Sequence, residues 1–166
     1  MQYSLVELNQ MGSEEFTEAL GAIFEHTPDI ARRTWDDRPF ASTAELYAKM
    51  VTVVNSMTEA EKLALIQAHP DLGSKAKMAE ASVNEQAGAG LDRLSVEEFD
   101  RFQSLNRSYR EKFGFPFIVA VKNHTKTSIL AAFKQRLDNS FETEIQQAVA
   151  EICQIARFRL ESAIHN

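Results

Sequence analysis

Cysteine occurs once in the 166 residues, at Cys153, so an intramolecular disulfide is impossible and a thiolate metal cluster is excluded. Long apolar runs are missing too: nothing approaches the roughly 20 consecutive apolar residues that span a bilayer. The start, Met1-Gln2-Tyr3-Ser4-Leu5-Val6-Glu7, has neither the basic nor the apolar region of a secretory signal, and Ile164-His165-Asn166 is no peroxisomal address. Positive charge is short. Lys and Arg number 18 against 24 Asp and Glu, for a formal net charge of −6, and no basic run is long enough to follow a phosphate backbone. These absences set aside nucleic acid and membrane as partners and lead to the expectation of a cytoplasmic protein. No internal repeat or low-complexity linker divides the chain. With 44% hydrophobic and 25% charged residues, residues 1–166 are expected to form a single domain with a sizeable core.

What the chain does have is helix pattern. Ser13-Glu14-Glu15-Phe16 predicts a serine-capped helix carrying Phe16, Leu20, Ile23 and Phe24 as far as Pro28. Asp29 to Trp35 reads as a short helix, with Trp35 in the core. Ser42-Thr43-Ala44-Glu45 is a capping box, and Leu46, Met50, Val53, Val54 and Met57 follow it at helical period. Thr58-Glu59-Ala60-Glu61 repeats the cap and opens a helix through Leu63, Leu65 and Ile66 that ends on His69. Ser95-Val96-Glu97-Glu98 caps a long helix whose stripe of Phe99, Phe102, Leu105, Tyr109 and Phe113 is core and which Gly114 stops. Two more helices are predicted over Ser128 to Leu137 and Phe141 to Ile164. The only strand-like run is Phe115-Pro116-Phe117-Ile118-Val119-Ala120-Val121, where proline removes a ladder donor. It is expected to be an extended buried connector whose main-chain groups need partners, and a ligand can be one of them. The fold class is therefore all-α, a single-domain multi-helix bundle with that one connector.

Three side chains carry candidate chemistry. Pro70 disfavours the α conformation at His69 and so puts its imidazole at a helix exit, where the partial negative charge of the helix end favours imidazolium. By itself this is equally the pattern of a packed or solvated histidine. Between Gly73 and Gly90 the residues become small and polar, unlike a core helix, and Ser82-Val83-Asn84-Glu85 is also a capping box, which is the plain reading of Glu85. On the last helix, at about 100° per residue, Ile145, Val149, Ile152, Ala156, Leu160 and Ala163 share one face. Arg159 falls inside that arc, whereas Arg157 falls outside it. An arginine turned to a core requires a buried carboxylate, Glu85 for instance, or an anionic ligand, unless it snorkels past the helix edge. On these residues alone, a helical module docking a partner through the Phe99–Phe113 stripe or the last helix remains an alternative to an enzyme.

A resemblance adds to this reading. Met11-Gly12, Phe24-Glu25-His26-Thr27-Pro28, Arg38-Pro39-Phe40, Ala68-His69-Pro70-Asp71-Leu72-Gly73 and Ser82-Val83-Asn84-Glu85-Gln86 with Ala89-Gly90-Leu91 come first. Leu105-Asn106 with Tyr109, Lys112 to Ile118, and Ile155 to Leu160 follow in order. Together they resemble the OHCU decarboxylases, which act on 2-oxo-4-hydroxy-4-carboxy-5-ureidoimidazoline after urate oxidase and hydroxyisourate hydrolase. The resemblance implies an all-helical, usually dimeric enzyme that needs no cofactor and no metal and forms (S)-allantoin from a small anionic substrate. It matches the catalytic histidine to His69, the acidic substrate-binding residue to Glu85 and the site arginine to Arg159. Further substrate contacts are implied at Pro70, at Ser82, Val83, Asn84 and Gln86, and at main-chain groups around Phe117, Ile118, Val119, Ala120 and Val121. One departure is Asp29, where many members carry an aromatic residue after the proline. A related member acting on a different small anion is the remaining alternative.

Overall fold

Short side chains with oxygen acceptors decide where most of the helices begin. In the computed structural model, which describes residues 2–73 and 80–165, Ser4, Ser42, Thr58, Ser95 and Thr125 each accept a hydrogen bond from the backbone N–H three residues on. They open α1 (Leu5–Gln10), α4 (Thr43–Ser56), α5 (Glu59–Gln67), α7 (Val96–Phe113) and α8 (Lys126–Arg136). The other helices are α2 (Ser13–Leu20), α3 (Asp29–Trp35), α6 (Glu80–Gly88) and α9 (Phe141–Ala163). The all-helical expectation holds, broken among the described residues only by a two-residue parallel pairing of β1 (Tyr3–Ser4) with β2 (Ile164–His165). No described helix is long and apolar enough to cross a membrane.

Several boundaries differ from the sequence reading. Gly12, not Ser13, is the N-cap of α2, and the helix stops at Leu20 instead of running to Pro28. The chain doubles back there: a methyl group on Gly21 would lie 2.4 Å from the Thr17 carbonyl oxygen and 3.1 Å from Pro28 Cβ. Helix α5 ends at Gln67, so His69 stands beyond the helix and not on it. Helix α8 starts at Lys126, ahead of Ser128, because Thr125 supplies the cap. Ser82 and Glu85 both lie inside α6, which removes the capping-box reading of that pair. The rest of the small polar stretch, residues 74–79, lies outside the described residues.

The chain divides into two compact units. One takes the chain as far as Ala68 and again from Cys153 onward. In it α2 packs on α3 and α3 on α4, burying Leu8, Phe16, Leu20, Ile30, Phe40, Leu46 and Met50, with Phe16 stacked on Phe40 at 6.0 Å. Trp35 is half-buried at its edge, donating from Nε1 to the Met11 carbonyl and covered by the Arg38 guanidinium.

The other unit runs His69–Ile152 and is built on aromatic rings. Phe102, Tyr109, Phe113, Phe115, Phe117 and Phe133 are buried together, and Phe117 stacks on Phe133 at 3.8 Å. Residues 115–121 form the expected extended buried connector, ending in a single 3-10 turn at Val121–Asn123. Gly114 closes α7 in the left-handed region at φ 79°, and nothing lies within 4 Å of where its Cβ would be. Gly114→Ala therefore meets backbone strain alone, and thermal melting is expected to show a loss of about 1–2 kcal/mol.

Candidate active site

His69 is buried, with 7% of its surface exposed. It opens the turn His69–Gly73, whose last three members, Asp71, Leu72 and Gly73, are each held by a side chain from elsewhere in the same unit. Arg110 Nε donates to both carboxylate oxygens of Asp71 at 3.0 and 3.3 Å. Asn106 Nδ2 donates to the Leu72 carbonyl at 2.9 Å, and the Gly73 N–H donates to Gln86 Oε1 at 3.0 Å. Gly73 sits at φ 68°, and a Cβ there would come within 2.9 Å of a Leu94 methyl, so the tight turn requires glycine. A buried turn pinned in this way fixes the backbone just after the imidazole, and a set backbone is one requirement of a positioned proton-transferring group.

Gln86 comes from α6, and its spacing explains what the helix offers. Ser82 and Gln86, four apart, share a face and are both buried, while Glu85 is half-buried beside them. Val83, 48% exposed, and Asn84 turn to solvent. Because Gln86 uses its side-chain carbonyl on Gly73, what remains for a ligand is its amide NH₂.

Helix α6 also packs on the turn that ends the connector. The His69–Gly73 turn, α6 and the Phe117–Val121 connector are thus brought together in one unit. In the connector the Ile118 carbonyl accepts from Arg136 Nη1 at 2.6 Å, and the Ala120 N–H donates to Glu151 Oε1 at 3.3 Å. The main-chain N–H groups of Ile118 and Val119 have no acceptor among the described residues, although both residues are buried. Buried N–H groups are rarely left unpaired, so these two are donors available to a ligand.

Arg159 belongs to the other unit. The helix-face arithmetic holds there: Arg159 is 8% exposed, while Arg157 lies on the surface with Glu161. Its guanidinium meets a buried carboxylate, Glu25, 0% exposed, with Nη2 donating to Oε2 at 3.0 Å. Nη1 faces the Ala22 and Ile23 carbonyls at 3.4 Å. The early end of α2 makes this possible, since the chain beyond Leu20 turns the Ala22 and Ile23 carbonyls and the Glu25 carboxylate toward the guanidinium instead of continuing a helical ladder. The neighbouring His26 is held at φ 47°, an unusual backbone for a residue with a side chain. Asp29, the departure from the family pattern, pairs on the surface with Arg33 at 2.8 Å.

Sequence reasoning missed Glu25, Asn106, Arg136 and Glu144, all buried. Asn106 was legible by the argument used for Arg159, because it falls on the buried face of α7 between Phe102 and Tyr109. Among the described residues no three His, Cys, Asp or Glu side chains cluster so as to hold a metal ion. The lone thiol is inert by burial, which pushes Cys153 up to about 11. A folded value above the unfolded one means its stabilising contribution is whole below the unfolded pKa and fades as pH rises through about 11. Thiol labelling at pH 8 is expected to be slow in native protein and fast in urea.

The OHCU decarboxylase family profile matches residues 9–161. A 2-oxo-4-hydroxy-4-carboxy-5-ureidoimidazoline decarboxylase of Halalkalicoccus jeotgali is 44% identical over 155 residues, 93% of this chain and 88% of that protein. The uric acid degradation bifunctional protein PucL of Bacillus subtilis is 46% identical over 98% of this chain, which corresponds to 33% of the longer protein. A crystal structure of (S)-allantoin synthase superposes with a TM-score of 0.79 at 33% identity, covering 98% of this chain and 54% of that one.

Proposed function

The chain belongs to the OHCU decarboxylase family and is a carboxy-lyase of urate degradation, and from that premise we propose how its own residues carry the decarboxylation to allantoin. His69, Glu85 and Arg159 act on one substrate molecule, and the whole of 1–166 serves as one catalytic domain. Loss of CO₂ breaks the bond between the carboxylate and the hydroxyl-bearing ring carbon. The electron pair passes into the conjugated ring as a planar enolate, which then takes one proton. Arg159 and the main-chain donors at Ile118 and Val119 stabilise the charge that develops on oxygen. Glu85 accepts from ureido or ring N–H groups, and Ser82 and the Gln86 amide set register. His69 engages the hydroxyl and carboxylate end and governs delivery of the proton to one face, so that the product is (S)-allantoin.

The observation that carries this reading is the pinned turn: a buried histidine at the head of a turn whose Leu72 carbonyl and Gly73 N–H are held by Asn106 and Gln86, the latter on the same helix as Ser82 and Glu85. The enzyme is proposed to work as a cytoplasmic homodimer on a small anionic ureidoimidazoline, without a cofactor. The test is circular dichroism in the allantoin band after mixing urate, urate oxidase and hydroxyisourate hydrolase, with and without this protein. An immediate chiral signal on its addition is expected. An unchanged slow appearance of racemic product would overturn the assignment.

A further inference from the structure

The most heavily buried charges of the second unit serve no role assigned so far. Glu144 is wholly buried and Arg136 nearly so. Arg136 Nε donates to Glu144 Oε1 at 2.9 Å, Tyr109 Oη donates to the same oxygen at 2.5 Å, and Asn139 Nδ2 donates to Oε2 at 2.8 Å. Burial, with the bond to Glu144, pushes the Tyr109 phenol up, so it stays a proton donor throughout the physiological range. The guanidinium lies over the Phe117 ring, 4.3 Å from its centroid. One nitrogen, Nη2, is buried with no hydrogen-bond partner among the described residues. A cluster like this is an expensive way to fill a core, because apolar residues of the same volume stabilise as well or better.

Its geometry points to another use. The remaining guanidinium donor, Nη1, goes to the Ile118 carbonyl. That peptide is trans, Arg38-Pro39 being the only cis bond among the described residues, so the Val119 N–H points away from the carbonyl of the same peptide plane. Fixing the carbonyl on Arg136 therefore fixes the direction of the Val119 donor. The next plane is set by the Ala120 N–H on Glu151. A connector with no ladder partners would otherwise be free to rotate these planes.

We infer that Arg136, locked by Glu144, Tyr109 and Asn139, is a positioning residue that aims the Val119 main-chain N–H at the reacting substrate. This rests on the decarboxylase reading, in which that donor stabilises developing charge. Arg136 touches no substrate itself and acts through the peptide.

Turnover of Arg136→Lys, measured in the coupled circular-dichroism assay, tests the inference. Lysine keeps a cation beside Glu144 but cannot donate in a planar fork to both Glu144 and Ile118. The expected result is a folded protein whose kcat falls about 10²-fold with KM little changed, the cost of a misaimed group. A merely structural cluster would lower the melting temperature and leave kcat as in wild type, which would overturn the inference. Should the lysine variant not fold, the double variant Arg136→Met with Glu144→Gln decides, since it removes the charges together. It is expected to fold and to show the same loss of kcat, and wild-type kcat in it would overturn the inference. Failure of both variants to fold would assign the cluster to stability and equally overturn it. Absence of turnover in the wild-type protein would instead bring down the decarboxylase reading.

Discussion

Replacing His69 with asparagine is expected to lower kcat by about 10²–10⁴-fold while the protein stays folded. Asparagine is polar and small enough for the site, and the turn's own anchors survive: Asp71 on Arg110, Leu72 on Asn106 and Gly73 on Gln86 are untouched. The melting temperature should therefore shift by no more than a few degrees. The chiral assay and a thermal melt on the same sample separate the two possible roles. A histidine that only packs would give the opposite pattern, with lowered melting and retained turnover, and that result would remove it from the mechanism.

The second large effect is expected at Arg159. Arg159→Lys should cost about 10²–10³-fold in kcat, the range seen when a preorganised donor to developing charge is lost. A lysine ammonium cannot present a planar fork to Glu25 while also meeting the Ala22 and Ile23 carbonyls, so its direction is no longer set. The partner supplies a second reading. Glu25→Ala leaves a guanidinium in a buried place without its carboxylate, and chemical denaturation is expected to show a loss of about 3–5 kcal/mol. Near-wild-type turnover in Arg159→Lys would end the role given to the guanidinium, whatever happens at Glu25.

These two residues also show how differently a side chain's place and its partner are encoded. Helical period alone put Arg159 inward and Arg157 outward, because both lie on one regular helix and an angle decides the face. The same arithmetic on α7 and α8 draws out Asn106 beside Phe102 and Tyr109 and Arg136 beside Phe133, whereas Glu144, buried at the start of α9, falls outside that helix's apolar arc. Asn106 and Arg136 stand on buried faces just as Arg159 does. The cap at Ser82 failed differently: a capping box is only a local pattern of residue types, and inside α6 Ser82 instead stands one turn from Gln86, four residues on, with both side chains buried.

Local interactions, within about four residues, were written in the chain directly: the caps at Ser42, Thr58 and Ser95, the stop at Gly114, the exposed and buried faces of α9 and the extended run at Phe117. Partners were not. Glu25 meets Arg159 across 134 residues, Asn106 meets Leu72 across 34 and Arg136 meets Ile118 across 18. A buried charge announces that it needs a counterpart, since burial without one is too costly, but any of many carboxylates or carbonyls would satisfy that need equally well. Which one does so depends on where the backbone turns, as α2 does at Gly21, and only the folded chain settles that.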